Sequence, residues 1–356
     1  MFKKVMIGTA VIAAILVGSA FLFQKQIGAS LFERAVEKRS GRDVTTALAD
    51  GLHVGLCGTG SLLPNPDRAG PCNVVIAGKQ IFVIDIGEGG ARNLNLMGIP
   101  LGRLDGVLLT HFHSDHIDGM GPLMLFHWTQ GTATAPLPVY GPQGVGMVVD
   151  GFNQAYLLDH GYRVAHHGEK IVPSTGGGGI AMPFTIGAEP VVVLEKDGLT
   201  ITAFPVDHTP VSPAVGYRFD YKGRSVVISG DTAKSASLER AAKGADVLVH
   251  EALAPNLVNN MTSALDKAGQ ANTAQITRDI LDYHASPEEA AESAQVAGVK
   301  RLVLSHLVPP IPSAYFYPAF LGDAAKKFGG PITVGEDGMF FSLPAGGKEI
   351  DERELM

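Results

Sequence analysis

Thiols are almost missing from this sequence, whose 356 residues include only Cys57 and Cys72. Two cysteines without neighbouring thiols exclude a zinc knuckle and a CxxC redox pair, and permit one disulfide at most. Positive charge is also short, with 28 Lys+Arg against 35 Asp+Glu and a formal net charge of -7. That balance argues against a generally basic nucleic-acid-binding surface, although it leaves a local basic patch open, and no nucleic-acid partner is expected. Charged residues make up 18%, too few for a disordered chain. What the sequence has instead is 46% hydrophobic residues, 44 glycines and 22 prolines, the make-up of a folded, turn-rich protein with room for a substantial core.

The N-terminus carries one long uncharged run. Lys3 and Lys4 precede VMIGTAVIAAILVGSAFLF, residues 5–23. As a helix this run would rise roughly 28 Å, about the hydrocarbon thickness of a bilayer. A membrane anchor is the first expectation, a signal peptide cleaved after Ala20 the second, and a buried helix the third. The first two place the remaining chain outside the cytoplasm, as an inner-membrane-anchored, periplasmic or secreted protein. The lysines at 3 and 4 favour a cytoplasmic short end, an asymmetry weakened by Lys25, Lys38 and Arg39.

Residues 24–50 carry mixed charge and read as a short helix or tether, 51–345 as the folded body, and 346–356 as a polar tail. In the body, strand-like runs repeatedly end at a His, Asp or Glu: KQIFVIDIGEG, LDGVLLTHFHSDH, LTITAFPVDHTP, SVVISGDT, ADVLVHEAL and VKRLVLSHL. Helical segments intervene at KSASLERAAKG and SPEEAAESAQVAG, the latter with Ser286 as an N-cap and Glu288 and Glu289 in its first turn. Alternation of strands and helices predicts a layered α/β protein with helices on the outer faces of paired sheets. Residues 150–198 give no clear pattern, and TGGGG at 175–179 reads as a surface loop.

His111-Phe112-His113-Ser114-Asp115-His116 is the densest cluster of ligand-type side chains. Three imidazoles and a carboxylate crowded into one loop have little structural use without a cation. They suit Zn²⁺ and also Mn or Fe. One loop cannot close all four groups on a single ion, so two divalent ions are expected, completed by residues at later strand ends. His111, His113 and His208 then serve one ion, and Asp115, His116 and His306 the other. Asp231 bridges them, with two oxygens for two cations. Such a pair activates water and stabilises charge on an attacked ester. A diiron redox centre and a non-catalytic binding protein remain as other classes, separable by metal analysis and turnover.

HFHSDH together with GTGS, DIGEG, SGDT and the late SHL resembles the metallo-β-lactamase superfamily. The closest branch is similar to the ribonuclease Z-like hydrolases, which include bacterial phosphodiesterases and arylsulfatases. It is marked by HxxxxxxxGYR from His208, HEA at 250–252 and YH at 283–284. The likeness runs from about Leu52 to about Phe341. It implies an αββα sandwich with two central β-sheets, the metals at one edge, and the ligand set just given. It also implies that Asp115 orients water, and that His284, charged or oriented by Glu251, protonates the leaving oxygen. Asp85 would support the metal loop through hydrogen bonds.

In some tRNA-processing members an arm that grips tRNA follows the residue matching His208. Here 22 residues separate His208 from Asp231, too few for that arm. The expected reaction is therefore hydrolysis of a small phosphodiester or arylsulfate. Lactone or thioester hydrolysis and tRNA 3′ cleavage are the alternatives. Phe126 to Trp128, with Tyr315, Phe316, Tyr317 and Phe320, are candidates for an apolar wall beside the metals.

Overall fold

The computed structural model describes Met6, Thr9 and residues 21–131 and 133–356. Two units divide at Asp43/Val44. In the first, an exposed helix runs over Gln24–Arg39. Most of the uncharged run at 5–23 lies outside the described residues. Among those described, no helix is long and apolar enough to cross a membrane. Among the described residues this corrects the expectation of an inner-membrane anchor: the helix Gln24–Arg39, charged at Lys25 and across Glu33–Arg39, is no apolar span. The run at 5–23, on which the anchor and the signal peptide were both placed, lies mostly outside the described residues.

The second unit begins with β1 (Gly51–Gly58), β2 (Cys72–Ala77), β3 (Gln80–Ile86), β4 (Gly106–Leu108), β5 (Leu137–Pro142) and β6 (Gly179–Phe184). It continues with β7 (Val191–Lys196), β8 (Leu199–Pro205), β9 (Val215–Tyr221), β10 (Arg224–Ile228), β11 (Val247–Leu253), β12 (Arg301–Val308) and β13 (Ile332–Val334). The chain then returns to the first sheet through β14 (Met339–Pro344) and β15 (Asp351–Glu354). One sheet runs β15-β14-β1-β2-β3-β4-β5-β6 and the other β13-β12-β11-β10-β9-β8-β7.

The continuous apolar runs of the sequence are strands buried on both faces. Alternate residues of β1, Leu52, Val54 and Leu56, pack against Tyr217, Phe219, Val226 and Val249 of the opposite sheet. On the other face of the first sheet, Val74, Ile76 and Val83 meet Leu94, Met97, Leu123 and Met124 of the covering helices. Leu248, Leu302 and Leu304 likewise pack on Leu238, Ala290, Ala291 and Ala294. The layers are thus helix, sheet, sheet, helix, as expected. The region without pattern holds a long helix, Val145–His167, with only Val145 and Val149 buried. So little apolar content faces inward that no helical period marks it. The helix Pro287–Ala297 begins at Ser286 with a complete capping box to Glu289.

Two devices tie the framework, one within a sheet and one between the sheets. Cys57 and Cys72 form a disulfide between β1 and β2. Arg224, only 2% exposed, reaches from one sheet to the chain leaving the other. Its guanidinium donates to the carbonyls of Pro344, Gly347 and Glu349 and to Asp246. Asp246 also accepts from Lys300 at 2.6 Å. Removing one partner of a buried pair leaves the other charge uncompensated. Asp246→Ala should lower unfolding free energy by about 3 kcal/mol, read as a shift of the urea midpoint with unchanged circular dichroism of the native state.

Candidate metal centre

Everything in the site hangs on the loop that leaves β4. Asp85, at the end of β3, accepts from the Thr110 backbone N–H at 2.8 Å and from its hydroxyl at 2.7 Å. Its Oδ2 also stands 2.8 Å from His116 Nδ1. One buried carboxylate therefore fixes both the start of the loop and the ring that ends it, and leaves His116 Nε2 facing inward. Asp85 has φ +54°, a left-handed conformation that Asp tolerates better than most residues. Gly87 makes room for the loop, since a Cβ there would lie 2.3 Å from the carbonyl oxygen of Asp115. That is a physical use for the glycine in DIGEG.

The remaining members arrive from the second sheet. His208 follows β8, and its Nδ1–H donates to the carbonyl of Tyr283 at 3.0 Å, turning Nε2 inward. Asp231 follows β10 across Gly230, whose φ of +63° brings the turn against Thr110. His306 lies inside β12, where pairing with β11 slips: Glu251 faces Ser305, but Ala252 faces Leu307. His306 is the extra residue of this bulge, at φ +47°, and the bulge aims its ring at the cluster.

All seven expected ligands come together. His111, His113, His208 and Asp231 each place a donor atom within 4.8 Å of the others, as do Asp115, His116 and His306. His111 Nε2 and His113 Nδ1 are 3.1 Å apart, and His208 Nε2 is 3.5 Å from His113 Nδ1. Asp231 lies between the two groups, and the histidines of both stand nearest its Oδ2. His111 and His208 approach it at 3.9 and 4.0 Å, and His116 and His306 at 3.2 and 3.3 Å. His306 Nε2 also lies 3.4 Å from Asp115 Oδ2. Burial pushes His111 well below the ordinary imidazole range. Burial opposes ionisation of Asp231, yet the surrounding histidines outweigh it and hold the carboxyl well below its usual range.

The donor set fits two divalent cations. His116 Nε2 and Asp231 Oδ1 are buried without a hydrogen-bond partner, and imidazole nitrogens stand against one another. Uncompensated lone pairs buried at such distances are costly, and a cation satisfies them.

Beside the cluster, His284 Nδ1 lies 2.8 Å from Glu251 Oε1, which also accepts from the backbone N–H of Thr232 and Ala285. Burial opposes protonation of His284, but the Glu251 carboxylate prevails and lifts its pKa to about 9. The expected aromatic wall is elsewhere. Trp128 is fully buried and donates to the carbonyl of Pro173, Phe320 is buried, and Tyr315 is 87% exposed. The cleft is instead walled by Leu62, Leu63, Ile276, Ile280 and Val308, over a floor of His113, Asp115, Asp231, His284 and His306. Nothing in the spacing from HEA to YH signals this, because one side of the wall is the helix Ala271–Asp279 with Ile280, braced by Pro255–Lys267, and the other is the loop carrying Leu62 and Leu63. Another unanticipated residue is Asp337. Its carboxylate accepts from Thr59, Ala69 and Asn93 and so pins the loop that carries Leu62 and Leu63.

Residues 83–307 match the β-lactamase superfamily domain. This protein belongs to the metallo-β-lactamase superfamily. Its similarity is to the ribonuclease Z-like members. Ribonuclease Z of Mycobacterium bovis (strain BCG / Pasteur 1173P2) is 39% identical over 288 residues, 80% of this chain and 96% of that protein. Among solved structures, human tRNase Z, short form, aligns with a TM-score of 0.58 at 22% identity, over 82% of this chain and 99% of that one. The metallo-β-lactamase fold protein YhfI from Bacillus subtilis aligns with the same TM-score, identity and coverage. These two likenesses show the fold. The superfamily match and the paired ligand groups make the chain a metal-dependent hydrolase of anionic esters with a dinuclear site.

The expectation that nucleic acid is no partner is overturned by the ribonuclease Z relatives. The physical reason is that net charge sums the side chains alone. Two divalent cations, once bound, would be the largest local charges in the site and would attract an anionic group whatever the overall balance.

Asp85→Ala should leave the fold intact and weaken metal affinity about 10- to 100-fold, measured by competition with a chromogenic chelator. His284→Ala should retain nearly full metal content but lose most turnover, whereas His111→Ala should lose metal. Metal loss in the His284 variant equal to that of His111→Ala would refute a role for His284 outside the ligand set.

Proposed function

We propose that this protein is a ribonuclease Z-type phosphodiesterase that uses two zinc ions and cleaves RNA near a 3′ end. The observation that carries this reading is the His284–Glu251 pair set beside seven converged ligands, in a chain 39% identical to a ribonuclease Z across 96% of that enzyme's length. The leaving alkoxide of a phosphodiester is poor without a proton, and the charged imidazole of His284 can supply one.

His111, His113 and His208 would hold one ion, and Asp115, His116 and His306 the other, with Asp231 between them. Such ions would supply Lewis acidity and lower the pKa of water. Asp115, at the cleft floor, is placed to accept a hydrogen bond from a water and orient it. His284 uses Nδ1 to hold Glu251, so proton delivery to the leaving oxygen falls to Nε2. Glu251 is itself fixed by two backbone N–H groups, and the charged imidazole keeps one orientation.

The test is a parallel assay of the zinc-loaded full chain on a tRNA precursor with a 3′ trailer, a bis-aryl phosphodiester, an arylsulfate and a cephalosporin. Cleavage of the precursor at the trailer junction and of the phosphodiester is expected, with both lost in Asp231→Ala. Faster turnover of the arylsulfate than of either phosphodiester would replace this reading with sulfate-ester hydrolysis.

A further inference from the structure

The apolar cleft over the metal ligands has no part in holding ions or moving protons. Its volume is about 180 Å³. An apolar cavity of about 150 Å³ holds one benzene ring, whereas drug-sized ligands need roughly 300 Å³ or more. The cleft therefore has room for one ring. Leu62 and Ile276, from separate segments, turn large aliphatic side chains into it while remaining 66% and 58% exposed. Exposed apolar area of this kind at the mouth of a polar centre gains free energy when a flat apolar surface covers it.

The walls are held in place before any ligand arrives. Leu63, Ile280 and Leu281 pack on the small core of Leu253, Val258 and Val308. The hydroxyls of Thr262 and Thr277 are 2.7 Å apart and tie the two wall helices together. Asp337 fixes the opposite loop at Thr59 and Ala69. Few polar groups face the cleft apart from the floor, namely Ser61, Ser114, Thr273, Thr277 and Tyr283, and Thr277 is engaged with Thr262. A ring here is read by its face and thickness, with little hydrogen bonding to its edge.

We infer that this cleft is a specificity subsite that takes one flat ring of the ester, a nucleobase or an aryl group, against Leu62 and Ile276. The inference rests on the phosphoester reading above and names what that site selects. Both sources share the same chemistry, a planar ring one or a few bonds from an anionic phosphoryl group. Base identity matters little to such a wall, so nucleotides of different sequence bind alike.

Calorimetric titration of the zinc-loaded full chain with phenyl phosphate, uridine monophosphate and methyl phosphate tests it without relying on turnover. The ring-bearing phosphates should bind about tenfold more tightly than methyl phosphate. Leu62→Ser and Ile276→Ser, both at exposed positions, should each cost the ring-bearing ligands about fivefold to tenfold. They should leave methyl phosphate and metal content unchanged. Stronger binding by uridine monophosphate assigns the ring to RNA, and stronger binding by phenyl phosphate assigns it to aryl esters. Equal binding of all three phosphates by the unaltered protein, or equal losses for all three in the variants, overturns the subsite alone. Failure of every phosphate to bind overturns the phosphoester reading with it.

Discussion

Seven Lewis bases share one space, six of them buried and His113 at its open side, and most of the local backbone exists to keep them there. Five imidazoles and two carboxylates at these separations repel or desolvate one another unless cations fill the gaps. The fold meets that cost by making each ring's orientation depend on a different partner: Asp85 for His116, the Tyr283 carbonyl for His208, and a β-bulge for His306. No single segment could supply the cluster. The loop after β4 brings four groups from one sheet, while β8, β10 and β12 bring three from the other. The site therefore sits where the two sheets meet, and its integrity reports on the packing between them.

This dependence explains which parts were legible in the sequence. A ligand cluster written into six consecutive residues, 111–116, needs no tertiary information to be read. His208, Asp231 and His306 were legible only because each ends or interrupts an apolar strand, which limits where a polar side chain can point. The bulge at His306 was not legible: a one-residue slip between β11 and β12 leaves no mark in composition. Nor was the orientation of Asp231, whose Oδ2 stands nearest the histidines of both groups while Oδ1 has no hydrogen-bond partner, since it depends on how the turn through Gly230 enters the cluster. The helix Val145–His167 escaped because only two of its 23 residues are buried. The cleft wall escaped because aromatic residues close in sequence to the ligands, Trp128 and Phe320, serve the core, and distant aliphatic ones line the site.

Charge gave the most misleading signal. A net charge of -7 describes the polypeptide with its centre stripped of ions. A dinuclear site would add local positive charge where an anionic ester is to bind, and its low-dielectric walls would keep that charge from being screened. Acidic proteins can bind nucleic acid through such a centre, whereas a sequence-wide sum registers only the surface.

The segment from Ile280 to Ala285 joins the parts of the mechanism that would otherwise be separate. Ile280 lines the cleft, the Tyr283 carbonyl orients His208, His284 holds Glu251, and the Ala285 N–H fixes the same carboxylate. The proposed ring subsite, the orientation of a metal-ligand candidate and the proposed proton donor thus converge on six consecutive residues. A shift of this segment cannot alter one without the others. Divergence of substrate choice is then easiest in side chains such as Leu62 and Ile276, which project from the scaffold and carry none of these hydrogen bonds. The same logic separates chemistry from specificity within one cleft: the floor is constrained by buried polar partners, and the walls are constrained only by shape.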